Sequence, residues 1–530
     1  MRVAKYINKG KTKDSTYYFI VESYRNENGQ PRTKALLNIT KLPIEKIEAI
    51  DAALRGKNVV DWDKIEGLES RSFGLSYAVI KTLEKMGFPE VLGDEGKKYW
   101  STIVAMIVNR IDNPCSKYSL KNWIKFNALP QLLGESGTSW YHHNRCYRVL
   151  DWLALHQTEL EDRLYARREN PDWIFLYDVT SSYFEGLMAE LGFFGHSRDH
   201  RKDLKQVCIG LLADDNGLPY ASEVFPGNTR DSTTVSSQIN KMKTRFNCEK
   251  AVFVGDRGMM TLANKEQLKK SGLDFILALT NREVLKLVEA HGPQQMGLFD
   301  ERGIADVVID GRRMIVCRNP IAGDDTKRRR ERLLALTAEK LRRIEKRVAN
   351  GRLRRATAIQ QAVDRWLPRW EMSKFFTVEI ADDQLKWSLN KETLAAAERL
   401  DGVYVLETTV DAEEMPAEKI DRVYKNLQKI ERAFHYLKSE LNLRPFRHWK
   451  EPRIRGHVFV GVLAYWVEQI FRNSLYNAPS DRRFEWDEAK ELLRGWHKVS
   501  VPGQSRLKPH DANFTPDTAK LLSLLEIPLP

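Results

Sequence analysis

The sequence predicts an α/β protein built on a mixed β-sheet, and three observations predict it. The first is a series of short apolar segments between about residues 174 and 279, separated by turn residues and helical stretches. The second is an aspartate directly after two of those segments, Asp178 and Asp256. The third is a stretch free of Gly and Pro, Tyr424 to Lys438, in which Leu427, Ile430, Phe434, Leu437 and the following Leu441 recur at intervals of three and four, one stripe of an α-helix.

The sheet segments come in a definite order. Ile174 to Tyr177 ends at Asp178. Val207 to Leu212 and Tyr220 to Phe225 follow, joined by the turn Asp214-Asp215-Asn216-Gly217. Ser232 to Phe246 has room for a crossover helix. Ala251 to Gly255 then ends at Asp256, a helix is predicted near Leu262 to Lys270, and Asp274 to Leu279 is a fifth strand. A three-strand meander that turns into βα units is the order of ribonuclease H-like folds.

Around this core the chain changes character. Residues 1 to about 45 read as a small β unit, with Tyr17 to Val21 and Thr33 to Ile39 flanking the turn signal Asn28-Gly29. Lys9, Lys11, Lys13, Arg25, Arg32 and Lys34 make it basic, either an accessory DNA-binding piece or a solvated hairpin. From about 70 to 165 the pattern is helical, punctuated by Pro114 and Pro130, with Trp100, Trp123, Trp140 and Trp152 assigned to cores. Between about 290 and 420 the strand–helix rhythm breaks. Lys327 to Arg355 carries thirteen Lys/Arg against three Glu, with Leu334, Leu341, Ile344 and Val348 as a helical seam. With Gly351 as a break, this is a basic helical arm or hairpin, either solvated or tracking a phosphate backbone. Arg453 to Phe471 reads as a buried helix. The expected division is 1–60 a basic β unit, 61–168 helical, 169–290 the first part of the core, 291–418 a basic α/β insertion, 419–475 the second part of the core, and 476–530 a C-terminal region.

Composition narrows the function. The chain has 530 residues and a formal net charge of +13, so several domains and a polyanionic partner are expected. No signal peptide and no apolar run of membrane-spanning length is evident, so no membrane partner is expected. The five cysteines are scattered without a CxxC pair, which argues against a disulfide framework or a zinc site and fits a reducing cytoplasm.

The carboxylates suggest a chemistry. In the ribonuclease H-like order the first and fourth strands are parallel neighbours about 4.8 Å apart. Asp178 and Asp256 would then share one site. Two close carboxylates raise each other's pKa unless a divalent cation lies between them, and oxygen-only ligands with open positions favour Mg²⁺ or Mn²⁺ over zinc. A third carboxylate should come from a helix packed on the sheet. At about 100° per residue, Tyr424, Glu431 and Lys438 fall seven apart on a narrow stripe beside the apolar one, so Glu431 meets that requirement. Taken alone, the same helix is equally a solvated Glu/Lys face. Three such acids can hold two ions about 3.5–4 Å apart, one activating the attacking oxygen and one stabilising the leaving oxygen of a phosphodiester.

At this point the sequence resembles the DDE transposases of bacterial insertion sequences, the branch with a Tyr-Arg-Glu-Lys signature and a β-rich insertion. The resemblance runs from about residue 15 to about 475. It is carried by Tyr177 to Glu185, Gly195 to Val207, Phe225 to Asp231, Val254 to Met259, and the helix from Tyr424 to Lys438. It implies that Asp178, Asp256 and Glu431 are catalytic metal ligands for Mg²⁺ or Mn²⁺, as a pair of ions. It implies cut-and-paste transposition on transposon-end and target DNA, and a homodimer that holds two ends. Tyr424 and Lys438 would contact phosphates. The signature Arg falls at Leu427, an apolar position, so His435, about 20° from Tyr424 on the helical wheel, or Arg432 is expected to supply the missing cation. Lys205, Arg201, Arg198 and Arg257 flank the acids and are further phosphate candidates. By the same resemblance the insertion lies over the acids, and Trp366, Trp370 or Trp387 is a candidate to stack on a flipped base. A stand-alone ribonuclease H-like nuclease and a non-catalytic DNA-binding derivative are the competing readings.

Overall fold

Strands buried on both faces must be apolar throughout, and the segment Val252–Gly255 is buried at every position. It sits at the middle of an eight-stranded sheet. The computed structural model describes residues 1–8, 15–57, 68–167, 173–186, 188–246, 248, 251–256, 259–291, 303–479, 483–500 and 509–530. The chain divides into two units: Met1–Ala78 with Ile124–Gly134 and Phe484–Pro530, and Val79–Trp123 with Glu135–Arg483.

In the first unit, β1 (Arg2–Asn8), β2 (Ser15–Arg25) and β3 (Pro31–Asn38) form an antiparallel sheet. The two strands expected on either side of Asn28-Gly29 are present, and β1 is added to them. The sequence gives β1 no periodic signal, because nearly all of its positions are exposed or half-exposed. Lys9, Lys11 and Lys13 lie outside the described residues. A second small sheet joins β4 (Glu69–Ser72) to the strands His497–Ser500 and His510–Ala512. Trp496, fully buried, packs against Phe73 with ring centroids 4.7 Å apart and donates its indole N–H to Asp511 at 2.8 Å.

The second unit holds the large sheet. β5 (Ile174–Tyr183), β6 (Gln206–Ala213) and β7 (Pro219–Pro226) make an antiparallel meander. β8 (Val252–Gly255) lies parallel to β5, and β9 (Asp274–Ala278) parallel to β8. The helices Asp231–Thr244 and Leu262–Lys270 supply the connections that parallel pairing requires. The chain therefore has a ribonuclease H-like core. On one face Phe175, Tyr177, Phe253 and Phe275 pack with Val235, Ile239, Met242 and Leu268 of those helices. The helix Leu427–Ser439 packs on β5, and the helix Glu451–Tyr476 packs on β7 and on the helix His143–Ala166. Gly456 makes the last crossing close: a Cβ there would lie 2.3 Å from the carbonyl oxygen of Leu150.

The basic insertion has two parts. β10 (Ile304–Ile309), β11 (Arg312–Arg318) and β14 (Val403–Thr408) extend the large sheet, giving the order β10-β11-β14-β9-β8-β5-β6-β7. The rest has its own core. The expected basic arm is one helix, Pro320–Ala349, about 45 Å long at 1.5 Å per residue. Its seam, Leu341, Ile344 and Val348, packs on Ile359, Phe375 and Phe376, with Leu334 half-buried beside them. The hairpin β12 (Phe376–Ala381) and β13 (Gln384–Leu389) closes this core. Of the arm's cations Arg330 is buried, donating to Asp401 at 2.7 Å.

The expectation that four tryptophans of the helical region fill cores changes at three of them. Only Trp140 of the four assigned to cores in the helical region is buried; Trp100, Trp123 and Trp152 keep part of their surface in solvent. Their indoles are broad enough to cover a core edge without being enclosed. Among the described residues no helix is long and apolar enough to cross a membrane.

Candidate active site

The pairing of β5 with β8 ends at Tyr177 opposite Gly255, so Asp178 and Asp256 are the next residues on adjacent parallel strands. β8 stops there, but β5 does not. The expectation that the first strand ends at Asp178 is corrected: β5 continues to Tyr183, pairing with β6 throughout. The misreading arose because Thr180, Ser181 and Ser182 are polar, yet all three are buried.

The helical stretch is also corrected. It is two helices, Ala417–Lys425 and Leu427–Ser439, meeting at Asn426. The β6–β7 turn explains the break. The Asn426 amide donates to the Asp215 carboxylate, and the Lys429 ammonium donates to the Asp215 carbonyl at 2.7 Å. Asp214 fixes the turn by accepting from the backbone N–H of Asn216 at 2.9 Å and of Leu218 at 2.7 Å. Gly217 has φ +81° and would bring a Cβ to 2.6 Å from the Lys429 Cβ. Gly217→Ala is expected to destabilise the protein by about 1–3 kcal/mol, from backbone strain and overpacking. Chemical denaturation measures it; an unchanged midpoint would show that the turn does not hold this helix.

Asp178, Asp256 and Glu431 line the same space. With Tyr404, Tyr424 and Gln428 they bound a cavity of about 260 Å³. On the other side the same three acids, with Arg198, His435 and Arg444, bound one of about 430 Å³. Burial pushes Asp178 up to about 7; the Val179 N–H and Arg198 pull it down, while the charges of Asp256 and Glu431 push it up. The Val179 N–H donates to Asp178 at 2.7 Å. Glu431 is raised as well, by burial of its carboxyl and then by Asp256. Among the described residues no three His, Cys, Asp or Glu side chains are gathered closely enough to cage a metal ion as they stand. The donor set nonetheless fits a hard divalent cation: three carboxylates face one cavity, and burial and one another's charge raise Asp178 and Glu431, which a bound cation would oppose.

The other candidates separate into groups. Tyr424 lies on the earlier helix yet still faces the acids, its ring stacked on Tyr404 with centroids 6.2 Å apart. His435 is exposed on the cavity wall, whereas Arg432, also exposed, lines neither cavity. Leu427 is buried, as its place on the apolar stripe requires. Lys438 lines the larger acid cavity with Glu431, as the shared stripe predicts, but it is buried there and ion-paired with Asp199 at 2.9 Å. Burial lowers its pKa and Asp199 opposes that shift. Arg198 lines the acid cavity and is paired with Asp231. Arg201 is held by Asp203 at 2.9 Å, and Lys205 is half-buried with its carbonyl accepting from the Phe184 N–H. Neither lines the acid cavities. Arg257 lies outside the described residues. Trp366 and Trp387 are half-buried on the insertion's own core, with Lys340 4.9 Å from the Trp366 ring centroid and Arg342 5.8 Å from that of Trp387. The side chain of Trp370 lies outside the described residues.

Sequence reasoning missed Asp199, Asp231 and Arg444. Asp199 accepts from both Lys438 and Arg444, the latter at 2.7 Å. The signal was present in the Gly195–Val207 and Phe225–Asp231 segments. Gln206 donates to the Gly227 carbonyl at 2.8 Å, and a Cβ on Gly195 would meet that same oxygen at 2.1 Å. These segments pack backbone to backbone, which is why their glycines matter. Asn319 and Tyr404, also unforeseen, bring the insertion to the acid cavity.

Comparison with known proteins bears on this geometry. The family described as "Transposase DDE domain" matches residues 169–467, more than half of the chain. The family described as "IS1634 family transposase, N-terminal domain" matches residues 3–61. No curated protein matches the sequence. One similar solved structure is described as a piggyBac transposase synaptic complex with hairpin DNA; it is 9% identical, with 80% of this chain and 77% of that chain covered and a TM-score of 0.38. A likeness that distant carries no argument here.

Proposed function

The chain belongs to the DDE transposases of bacterial insertion sequences, enzymes that cut DNA and transfer the cut strand, and from that premise we propose that Asp178, Asp256 and Glu431 are the acids that carry its chemistry. The observation that supports them most directly is the register of β5 and β8, which sets the two aspartates side by side at the end of their pairing, with Glu431 on the same cavity wall. We propose Mg²⁺ or Mn²⁺ as the complement, two ions together. When bound, such ions activate the attacking oxygen and stabilise the leaving one.

The residues then divide the work. Asp178, Asp256 and Glu431 would hold the ions against which the scissile phosphate is positioned. The first step is hydrolysis at the element's end; the second is attack of the freed 3′-hydroxyl on target DNA, a transesterification that needs no ATP. Tyr424, braced on Tyr404, faces the strand from the side of the insertion. Lys438 and Arg444 both face the cavity and share Asp199, so two cations against one carboxylate leave that wall positive for a phosphate. His435 supplies the phosphate contact that Leu427 cannot. Two ends must be held at once, so the active form on DNA is a homodimer.

The test is cleavage of DNA carrying the element's own terminal repeats, with Mg²⁺ or with EDTA. Cleavage at the repeats that EDTA stops is expected. Equal cutting of DNA without the repeats would favour a stand-alone nuclease. For the phosphate contact, His435→Ala is expected to lower end cleavage about tenfold, and Arg432→Ala to leave it within about twofold. A charged hydrogen bond of about 1.5 kcal/mol sets that scale. The opposite ranking would move the contact to Arg432.

A further inference from the structure

Beside the acid site lies a cavity of about 530 Å³ with an unusual wall. Arg110, Lys117, Arg444, Arg447, His448 and His457 line it, and among the described residues no Asp or Glu does. Arg110 and Lys117 are each 5% exposed. Arg110 donates to the carbonyls of Leu441 at 3.2 Å and Asn442 at 3.0 Å and faces the His457 Nδ1 at 3.3 Å, while its Nε has no partner. Lys117 makes no ion pair with any described residue. Burial, with Arg110 adding repulsion, holds its ammonium down to about 7. His448 is lowered to about 3, and His457 is also lowered, both chiefly by burial, so the histidines are neutral walls, the guanidiniums carry the standing charge, and Lys117, near its midpoint at neutral pH, gains its full charge when an anion binds. Buried cations without counter-charge are costly, and a fold that keeps them has a use for an anion.

The position of the cavity says which anion. Arg444 lines both this cavity and the acid cavity, so the cationic wall begins where the acidic one ends. Arg447, whose side chain is 69% exposed, stands at the solvent side, held by Glu185 at 3.0 Å. We propose that this cavity is a phosphodiester subsite that takes a backbone phosphate of the DNA strand crossing the acids, held by Lys117, Arg110 and Arg447. The proposal rests on the DNA-cutting reading above. A free phosphate shares the same chemistry, and the test separates the two sources.

The test uses the full chain and Lys117→Met. Removing a buried, unpaired ammonium should leave the melting temperature equal or higher, so loss of binding cannot be ascribed to unfolding. Affinity for duplex DNA carrying the element's ends is expected to fall about tenfold, and the slope of log affinity against log salt to shrink by about one. Among duplexes with single methylphosphonate linkages, one position should weaken binding by the wild type and not by the variant. Arg447→Gln, at the exposed edge, should reproduce the reduced slope. Unchanged affinity and slope in both variants would overturn the proposal. If inorganic phosphate raises the melting temperature of the wild type and not of Lys117→Met, while no methylphosphonate position distinguishes them, the cavity holds a free anion and the DNA assignment fails. Whether the chain cuts DNA at all is read separately, on the wild type with Mg²⁺ against EDTA.

Discussion

Asp178→Asn, Asp256→Asn and Glu431→Gln are each expected to reduce end cleavage and strand transfer by roughly a thousandfold or more, about 4 kcal/mol of activation free energy, while end binding persists. The reason lies in the geometry. β5 and β8 present the two aspartates at consecutive positions beyond their last paired residues, and Glu431 faces them across one cavity. Each amide keeps the shape of the acid it replaces but would remove an anionic ligand from the proposed all-oxygen cation site. Gel-shift binding and cleavage of the same end-bearing duplex, measured in parallel, check both halves. Cleavage within about tenfold of wild type in any of the three would remove that residue from the set.

Metal-free stability is expected to fall as pH rises from about 4 to about 7, and Mg²⁺ to restore it. Burial holds Asp178 at about 7 in the folded protein, against about 3.9 in an unfolded chain. Across that interval the unfolded chain has released the proton and the folded chain keeps it, so each pH unit costs stability until the folded carboxyl also ionises. The total is on the order of a few kcal/mol. Glu431, raised in the same direction, adds to it. A divalent cation prefers the ionised acids, so at pH 8 Mg²⁺ should raise the melting temperature by several degrees, and at pH 5 by little. Melting curves at the two pH values, with Mg²⁺ or EDTA, measure this. The same Mg²⁺ response in a chain carrying both Asp178→Asn and Glu431→Gln would place the ion elsewhere.

The meander and its two parallel partners were legible because each strand is a compact apolar run closed by a turn or an acid. Asp178 and Asp256 stood out for the same reason. What stayed hidden was tertiary. Thr180 to Ser182 belong to β5 through pairing with β6, which no local pattern reports. Asn426 interrupts a continuous heptad-like stripe because a turn some two hundred residues earlier takes its side chain. The angle places Lys438 with Glu431 on the cavity wall, but its partner Asp199 lies in a segment without periodicity. The insertion read as a single block because its basic run dominates the composition, and nothing local shows that β10, β11 and β14 belong to the large sheet.

That last arrangement bears on how the molecule may be shortened. The backbone N–H of Asn319 donates to the carbonyl of Gly402 at 2.8 Å, so the chain leaves and re-enters the sheet at neighbouring points. A loop joining those two residues would excise the long basic helix and its hairpin while β14 still covers the flank of β9. Cutting at 291 and 418 instead would strip that flank bare and offer its unpaired amides to another molecule. A minimal enzyme should therefore be drawn from the narrower boundary.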